Sequence, residues 1–270
     1  MEIAPGVYAI DEATRTLMGV YAPNVYLVVG EQAALIDSGY HNTELVGPIV
    51  DHIERLAPSM LAYILITHPH PDHIGGCRAI SEATGARIVL HSQADAQARA
   101  NQLVADTLVE DGDTVDIGGI SLQMIHTPGH TAGNMCIYLE GQEVLFTGDH
   151  VLGMGTTVID ASDGDMGRYI DSLKRLLDYR IRLICPGHGP VVREPERKIN
   201  ELIAHRLERE QQILSCLRLG KSSLTAVVRD IYPELDPSLV GLAEMQILMH
   251  LKKLVAEEKA ALDGDGYALR

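Results

Sequence analysis

Four side chains that can bind a metal lie within six residues, in the segment Thr67–His73. They are His68, His70, Asp72 and His73. Zinc accepts imidazole nitrogen and carboxylate oxygen as ligands. Alternation along an extended loop lets His68 and His70 point the same way, and Pro69 and Pro71 restrict the backbone between them. One histidine alone is usually structural, but four ligands this close together indicate a metal-binding loop.

Three further candidate ligands lie in turns rich in glycine or proline, each after a predicted strand. They are His130 in TPGHT, Asp149 in TGD and His188 in PGHG. Strands that end at one edge of a sheet can bring such distant residues together. A carboxylate between two sets of ligands can bridge two cations, and Asp149 is the candidate for this role. The residues therefore predict a site for two divalent metal ions, with Zn²⁺ as the expected identity.

These motifs, in this order, resemble the metallo-β-lactamase superfamily with its H-x-H-x-D-H signature. The resemblance implies that one ion is held by His68, His70 and His130, that the other is held by Asp72, His73 and His188, and that Asp149 bridges them. It also implies an α/β fold, a four-layer αβ/βα sandwich. Asp37 in LIDSG matches an early element of the superfamily and is expected to support the ligands through hydrogen bonds. The alternative for Asp37 is a turn-forming role alone.

A narrower resemblance points to the β-lactamase-like protein 2 group and covers the chain from about Val25 to Leu262. It rests on Leu145–Asp149, Gly153–Val158 and the helix Met166–Leu177, and on several segments near the C-terminus. The resemblance implies cleavage of single-stranded RNA as one activity. In other members of the group it implies hydrolysis of thioesters of carrier-bound acyl chains.

The pattern of apolar residues predicts two domains, a catalytic domain over residues 1–195 and a C-terminal domain over residues 196–270. In the first, short apolar segments alternate with helices, and Leu61–Thr67 is an uninterrupted apolar run of strand length. In the second, three amphipathic helices precede a hairpin around the turn Asp263–Gly266. This order is typical of a small winged-helix domain, and the alternative is a helical cap on the catalytic domain.

Two metal ions roughly 3.5–4 Å apart lower the pKa of a bridging water towards about 7. We therefore expect a metal-bridging hydroxide that attacks a carbonyl carbon or a phosphorus, with Asp72 as the catalytic residue that orients it. The substrate is a small-molecule ester or thioester, or a phosphodiester such as single-stranded RNA. No residue in the sequence is evident as the acid for the leaving group.

The charge distribution bears on this choice, because phosphate contacts dominate RNA affinity. The net charge is −15, of which residues 1–195 carry −14, and the chain has one Phe and no Trp. These features disfavour RNA, whereas a winged helix favours it. Two alternatives from other classes stay open: a mononuclear iron persulfide dioxygenase, and a non-catalytic binding module that acts through the winged helix.

The rest of the sequence predicts a soluble, cytoplasmic protein without a membrane-spanning segment. No apolar run approaches the roughly 18 residues of a membrane helix, and residues 1–10 lack the pattern of a signal peptide. The four cysteines are isolated, which indicates buried thiols and no disulfide scaffold. Outside the metal motifs we expect His126 on a strand face. For His150 we expect a structural role, and the alternative is that it lines the pocket. For Tyr169 and Met154 we expect packing, and the alternative is contact with the substrate.

Overall fold

The computed structural model describes residues 1–10, 22–40, 43–56, 60–264 and 266–270, and in residues 43–45 the backbone only. The described chain divides into two compact units. The first comprises Met1–Pro128, Ala132–Thr157 and Tyr179–Glu196, and the second comprises Gly129–Thr131, Val158–Asp178 and Arg197–Arg270. The simple boundary after residue 195 stays a prediction. Among the described helices, none has the length and apolar character needed to cross a membrane.

Twelve strands form two sheets in the described part of the first unit. The larger sheet contains, in chain order, β1 (Glu2–Ala4), β2 (Val7–Ile10), β3 (Val25–Val29), β4 (Ala33–Ile36), β5 (Leu61–Leu65), β6 (Arg87–His91) and β7 (Thr107–Val109). The smaller contains β8 (Thr114–Asp116), β9 (Ser121–His126), β10 (Met135–Leu139), β11 (Val144–Gly148) and β12 (Leu183–Pro186), in the spatial order β12-β11-β10-β9-β8. Strands β4 to β7 run parallel to one another, and so do β11 and β12.

The larger sheet is buried on both faces, which explains its uninterrupted apolar strands. Successive side chains of a strand point to opposite faces. In β3, Tyr26 and Val28 contribute to the core that also contains residues of the smaller sheet, such as Phe146. Their neighbours Val25 and Leu27 contribute to a second core on the opposite face. The two sheets therefore pack face to face, as the predicted sandwich requires.

Short helices cover the outer face of the larger sheet. The helices are α1 (Thr43–Leu56), the single turn α2 (Pro71–Ile74), α3 (Cys77–Thr84) and α4 (Asp95–Ala100). Ile49 and Ile53 of α1, and Cys77 and Ile80 of α3, lie in the outer core. The spacing of apolar residues predicts a helix over Thr43–Leu56, and α1 confirms these bounds. Strands β1 and β2 and helix α4 were not predicted, because these segments are short and weakly patterned.

The second unit contains four helices and a hairpin in its described part. They are α5 (Met166–Leu176), α6 (Pro195–Arg218), α7 (Leu224–Ile231), α8 (Val240–Ala256), β13 (Ala260–Asp263) and β14 (Gly266–Leu269). Ile213, Val227, Ile247 and Leu251 form its apolar core. The predicted order of three helices and a terminal hairpin is confirmed, although Asp265 of the predicted turn lies outside the described residues. All four cysteines are buried, and the described residues form no disulfide.

Phe146 tests the packing of the two sheets. Its side chain is fully buried, and its ring centroid lies 5.4 Å from that of Tyr26 in the facing sheet. We expect Phe146→Ala to lower the free energy of unfolding by about 3–5 kcal/mol, because it removes apolar contacts and leaves a cavity. Urea denaturation measures this change. Val104→Ala, at a position that is 60% exposed, is the control and should change stability by less than about 0.5 kcal/mol. A loss below about 1 kcal/mol for Phe146→Ala would contradict the packing described.

Candidate metal centre

The sheet topology explains how most of the candidate ligands of the first unit come together. Strands β4 and β5 are parallel neighbours, and so are β11 and β12, so the carboxyl ends within each pair lie at the same edge. Asp37 follows β4, and the loop with His68 follows β5. Asp149 follows β11, and His188 lies just beyond β12. The N–H of Met135 donates to the carbonyl of Thr67 at 2.8 Å and links the histidine-rich loop to the second sheet.

Within the first unit, the structure brings candidate side chains into two overlapping groups of three. In each group, every residue offers one ligand atom, and these atoms lie within 4.8 Å of one another. The groups are His68, His73 and Asp149, and Asp72, His73 and His188. In the same unit, Nε2 of His68 lies 3.1 Å from Nδ1 of His70. His130 lies in the second unit. Because His73 belongs to both groups, they form one continuous cluster of imidazoles and carboxylates.

Distances within the first unit show where a cation would fit. The Nε2 atom of His188 lies 3.2 Å from Oδ2 of Asp72 and 3.5 Å from Oδ1 of Asp149. The same Asp149 oxygen lies 3.4 Å from Nε2 of His73. That nitrogen is buried and makes no hydrogen bond to any described residue. A buried polar atom without such a partner is costly, and a divalent ion coordinated there would satisfy it. The residues present therefore fit a metal.

Asp37 orients His73 through a buried hydrogen-bond network. Its carboxylate accepts from the backbone N–H and the hydroxyl of Thr67, both at 2.8 Å, and from Nδ1 of His73 at 2.7 Å. With Nδ1 donating, Nε2 is the ring nitrogen that faces the cluster. Asp37 also adopts a positive φ of 58° directly after β4. Its hydrogen bond to His73 agrees with the supporting role expected for Asp37.

Opposite charges dominate the electrostatics of the cluster. Burial alone would lower the pKa of His73, but the carboxylates of Asp37 and Asp149 raise it well above its usual range. Burial would raise the pKa of Asp72, but the hydrogen bond to His188 and the charge of His73 lower it. The carboxylates of Asp37 and Asp149 therefore favour a proton on His73. A divalent cation would compete with that proton, so metal binding releases it.

Several residues that position the ligands were not found from the sequence. The turn that carries His188 is held by Asn24, whose Nδ2 donates to the carbonyls of Pro186 at 2.9 Å and Gly189 at 2.8 Å. The hydroxyl of Tyr26 also donates to the Pro186 carbonyl, at 2.8 Å. Asn24 and Tyr26 lie far from this turn in sequence, and no local motif marks them.

Tyr40 is another residue near the cluster that the sequence did not single out. Its side chain is partly exposed, and burial and the charges of Asp72 and Asp149 raise the pKa of its phenol. Its position shortly after Asp37 in the sequence was the signal that could have indicated its place near the cluster.

The other residues weighed from the sequence have different outcomes. His126 ends strand β9 and stacks on His91, with ring centroids 3.9 Å apart, which confirms its place on a strand. His150 is fully buried, in agreement with a structural role, and Tyr169 is also fully buried, which confirms packing. The packing role expected for Met154 is wrong, because the residue is 54% exposed. The glycine-rich stretch around Met154 leaves too few apolar neighbours to predict burial.

With the fold and the cluster described, comparison with known proteins identifies the family. Residues 18–188 match the model of the metallo-β-lactamase superfamily, and residues 223–268 match that of the β-lactamase-associated winged-helix domain. The chain belongs to the metallo-β-lactamase superfamily and carries a C-terminal winged-helix domain. The α/β fold expected from the resemblance is thereby confirmed, and the family is one of enzymes.

Individual relatives narrow the comparison. A β-lactamase-like protein 2 homolog from Caenorhabditis elegans is 32% identical over 242 residues, covering 88% of this chain and 79% of the relative. A protein from Aspergillus chevalieri named atrochrysone carboxyl ACP thioesterase is 31% identical over 259 residues, covering 90% and 79%. The crystal structure of a metallo-β-lactamase family protein from Thermus thermophilus superposes with a TM-score of 0.80 at 24% identity, covering all of both chains. This last likeness shows the fold alone.

The substitution Asp37→Asn tests the support of His73. Asn tolerates a positive φ, so the turn should be kept while the negative charge is lost. We expect metal affinity to fall by about 10–100-fold, as is typical when the hydrogen-bond partner of a histidine ligand is changed. Competition with a chromogenic chelator measures the affinity. Asp51→Asn, on the exposed side of α1, is the matched control. Equal affinities for Asp37→Asn and the unaltered protein would refute the supporting role.

Gly187→Ala tests how closely the cluster is packed. A Cβ atom at this position would lie 2.5 Å from Oδ1 of Asp149 and 2.7 Å from Cε1 of His73. We expect this variant to lose most of its metal binding, because two candidate ligands must move apart. Equilibrium dialysis followed by metal analysis provides the measurement. Gly241→Ala, with no atom within 4 Å of the added Cβ, should bind metal normally. Normal binding by Gly187→Ala would show that the ligands are not arranged as described.

Proposed function

We propose that this chain is a dinuclear metal-dependent hydrolase that cleaves ester or thioester bonds. The observation that supports this most directly is the continuous cluster of overlapping ligand groups in the first unit. One ion would be held by His68, His70 and His130, the other by Asp72, His73 and His188, with Asp149 between them. Zn²⁺ is the expected ion, since every ligand offers nitrogen or oxygen. When bound, two such ions supply an activated water and polarise the oxygen of the substrate.

The protein's own residues have distinct tasks in this proposal. Nε2 of His188 lies 3.2 Å from Oδ2 of Asp72. Asp72 would both hold a metal ion and orient the attacking water. Asp37 keeps Nε2 of His73 directed at the cluster. His68 and His73 are fully buried, so their nitrogen atoms are shielded from bulk water, which strengthens their interaction with a cation.

Thioesters are the favoured substrate class within this proposal. The relative from Aspergillus chevalieri that matches 90% of the chain is named a thioesterase. The net charge of −15 also favours a small acyl substrate over a polyanion, because RNA binding depends on contacts between phosphates and cations. Cleavage of single-stranded RNA remains the alternative that the winged-helix domain favours. The mononuclear iron persulfide dioxygenase also stays an alternative activity. For the location we keep the cytoplasm as a proposal, which the free thiols of the described cysteines favour.

Metal analysis and an activity panel test this proposal together. We expect about two zinc ions per chain, and turnover of a small acyl thioester that a chelator abolishes and added Zn²⁺ restores. The panel also contains a nitrophenyl phosphodiester, a β-lactam, single-stranded RNA and glutathione persulfide with oxygen consumption. Preference for RNA would support the alternative nuclease. About one iron per chain with oxygen consumption would support the dioxygenase.

Substitutions connect the activity to the cluster. We expect His68→Ala and Asp72→Ala to lower kcat/KM for the thioester by at least about 100-fold, since the bound metals supply several kcal/mol of transition-state stabilisation. His52→Ala, on α1 and outside the cluster, is the control and should keep its activity. Full turnover by the His68 and Asp72 variants would show that this cluster is not the catalyst.

A further inference from the structure

We propose that Gln246, in helix α8 of the winged-helix region, is a positioning residue for the metal ligand His130. The inference rests on the proposed function, since it takes His130 as a ligand. The residues that carry it lie in the second unit, which contains Gly129–Thr131, Val158–Asp178 and Arg197–Arg270.

The first step is the hydrogen bond that sets the orientation of the His130 ring. Nδ1 of His130 lies 2.6 Å from the carbonyl oxygen of Val158. A carbonyl can only accept, so Nδ1 carries the proton and donates it. Nε2 is then the nitrogen with a lone pair for a metal. His130 is 4% exposed, so few water molecules could replace the Val158 carbonyl.

The second step is the peptide group that contains this carbonyl. The Val158 carbonyl and the Ile159 N–H belong to the same planar peptide unit. The Ile159 N–H donates to Oε1 of Gln246 at 3.1 Å. One peptide plane is thus held at its oxygen by His130 and at its N–H by Gln246. Hydrogen bonds in such a chain polarise one another, and each one restricts rotation of the plane.

The third step is the second bond from the same Gln246 side chain. Its Nε2 donates to the carbonyl of Ile159, also at 3.1 Å. The amide of Gln246 therefore pairs with both backbone groups of Ile159, a fully buried residue. Without Gln246, a buried N–H and a buried C=O would lose their partners. The backbone at 158–159 would then rearrange, and the carbonyl that orients His130 would move with it.

The backbone around His130 depends on the same segment. The N–H of Asp160 donates to the carbonyl of His130 at 3.0 Å, and the N–H of Asp165 donates to that of Gly129 at 2.9 Å. A Cβ atom at Gly164 would lie 2.8 Å from the His130 carbonyl oxygen, so the two backbones are in close contact. Segment 158–165 therefore holds both the ring and the main chain of His130.

Helix α8, which carries Gln246, is held in place by its own packing and by an ion pair. Ile247, next to Gln246, and Leu251 are fully buried in the core of the second unit. Lys253, about two turns further along, forms an ion pair of 2.8 Å with the buried carboxylate of Glu210 in α6. A side chain fixed on such a helix transmits its position to the peptide that it binds. The winged-helix region thereby contributes to the geometry of a metal ligand.

Cobalt(II) titration of the full chain tests this inference. The absorption of bound Co²⁺ reports the ligands of each ion, and competition with a chelator gives two binding constants. Gln246→Met keeps the size of the side chain but removes both hydrogen bonds. We expect it to weaken the binding of one Co²⁺ by about tenfold, at the lower end of effects seen for residues behind a ligand. The other constant should stay within about twofold. Gln211→Met, at an exposed position of α6, should change neither.

A double-mutant cycle separates positioning from general destabilisation. His130→Ala should abolish the same binding step, and Gln246→Met should then add no further change in the remaining constant. Gln246→Glu, which still accepts from the Ile159 N–H, should lose less affinity than Gln246→Met and serves as the test if the Met variant does not fold. Both constants unchanged in Gln246→Met would overturn the inference, and so would an equal fall in both. Failure of the unaltered protein to bind two Co²⁺ ions would instead refute the proposed function.

Discussion

The buried carboxylate of Asp37 is the interaction on which the metal-binding loop depends. Burying a charge is unfavourable unless hydrogen bonds offset the lost hydration. Here the backbone and hydroxyl of Thr67 and the ring of His73 provide three of them. Thr67 and His73 stand at the two ends of the ligand loop. The carboxylate of Asp37 therefore binds both ends of the loop and holds the loop next to the end of strand β4.

The same principle recurs at two other histidines, each of which has an acceptor for Nδ1. The hydroxyl of Thr67 gives its one proton to Asp37, so it accepts from Nδ1 of His68 at 3.1 Å. His130 uses the carbonyl of Val158. At His68, His73 and His130, Nε2 is therefore the ring nitrogen that is left to bind a metal. The carboxylates near these rings repel one another, so a rigid scaffold is required to hold them, and a cation is the natural counter-charge.

Much of this arrangement could be predicted from the sequence, because the main signals are local. The H-x-H-x-D-H loop, the turns around His130, Asp149 and His188, and the apolar strands that precede them are all readable within a few residues. The three helices and hairpin near the C-terminus follow from periodicity in the same way. The periodicity could not reveal the short strands β1 and β2, which are stabilised by pairing with each other and with β3. It also misjudged Met154, since burial depends on neighbours that are distant in sequence.

The supporting residues could not be predicted, for a physical reason. Asn24, Tyr26 and Gln246 form hydrogen bonds with backbone groups that are far away in the chain. Every residue has such backbone groups, so the residue types do not show which of them is the partner. Asp37 was found because it sits in a recognisable motif. The hydrogen bonds between Gln246 of α8 and Ile159 can be seen in the structure but not in the sequence.

The most direct test of the account is anomalous diffraction at the zinc absorption edge from crystals of the zinc-loaded protein. The account predicts two peaks, one contacted by His68, His70 and His130 and the other by Asp72, His73 and His188, with Asp149 touching both. A single peak, or peaks away from these side chains, would contradict it.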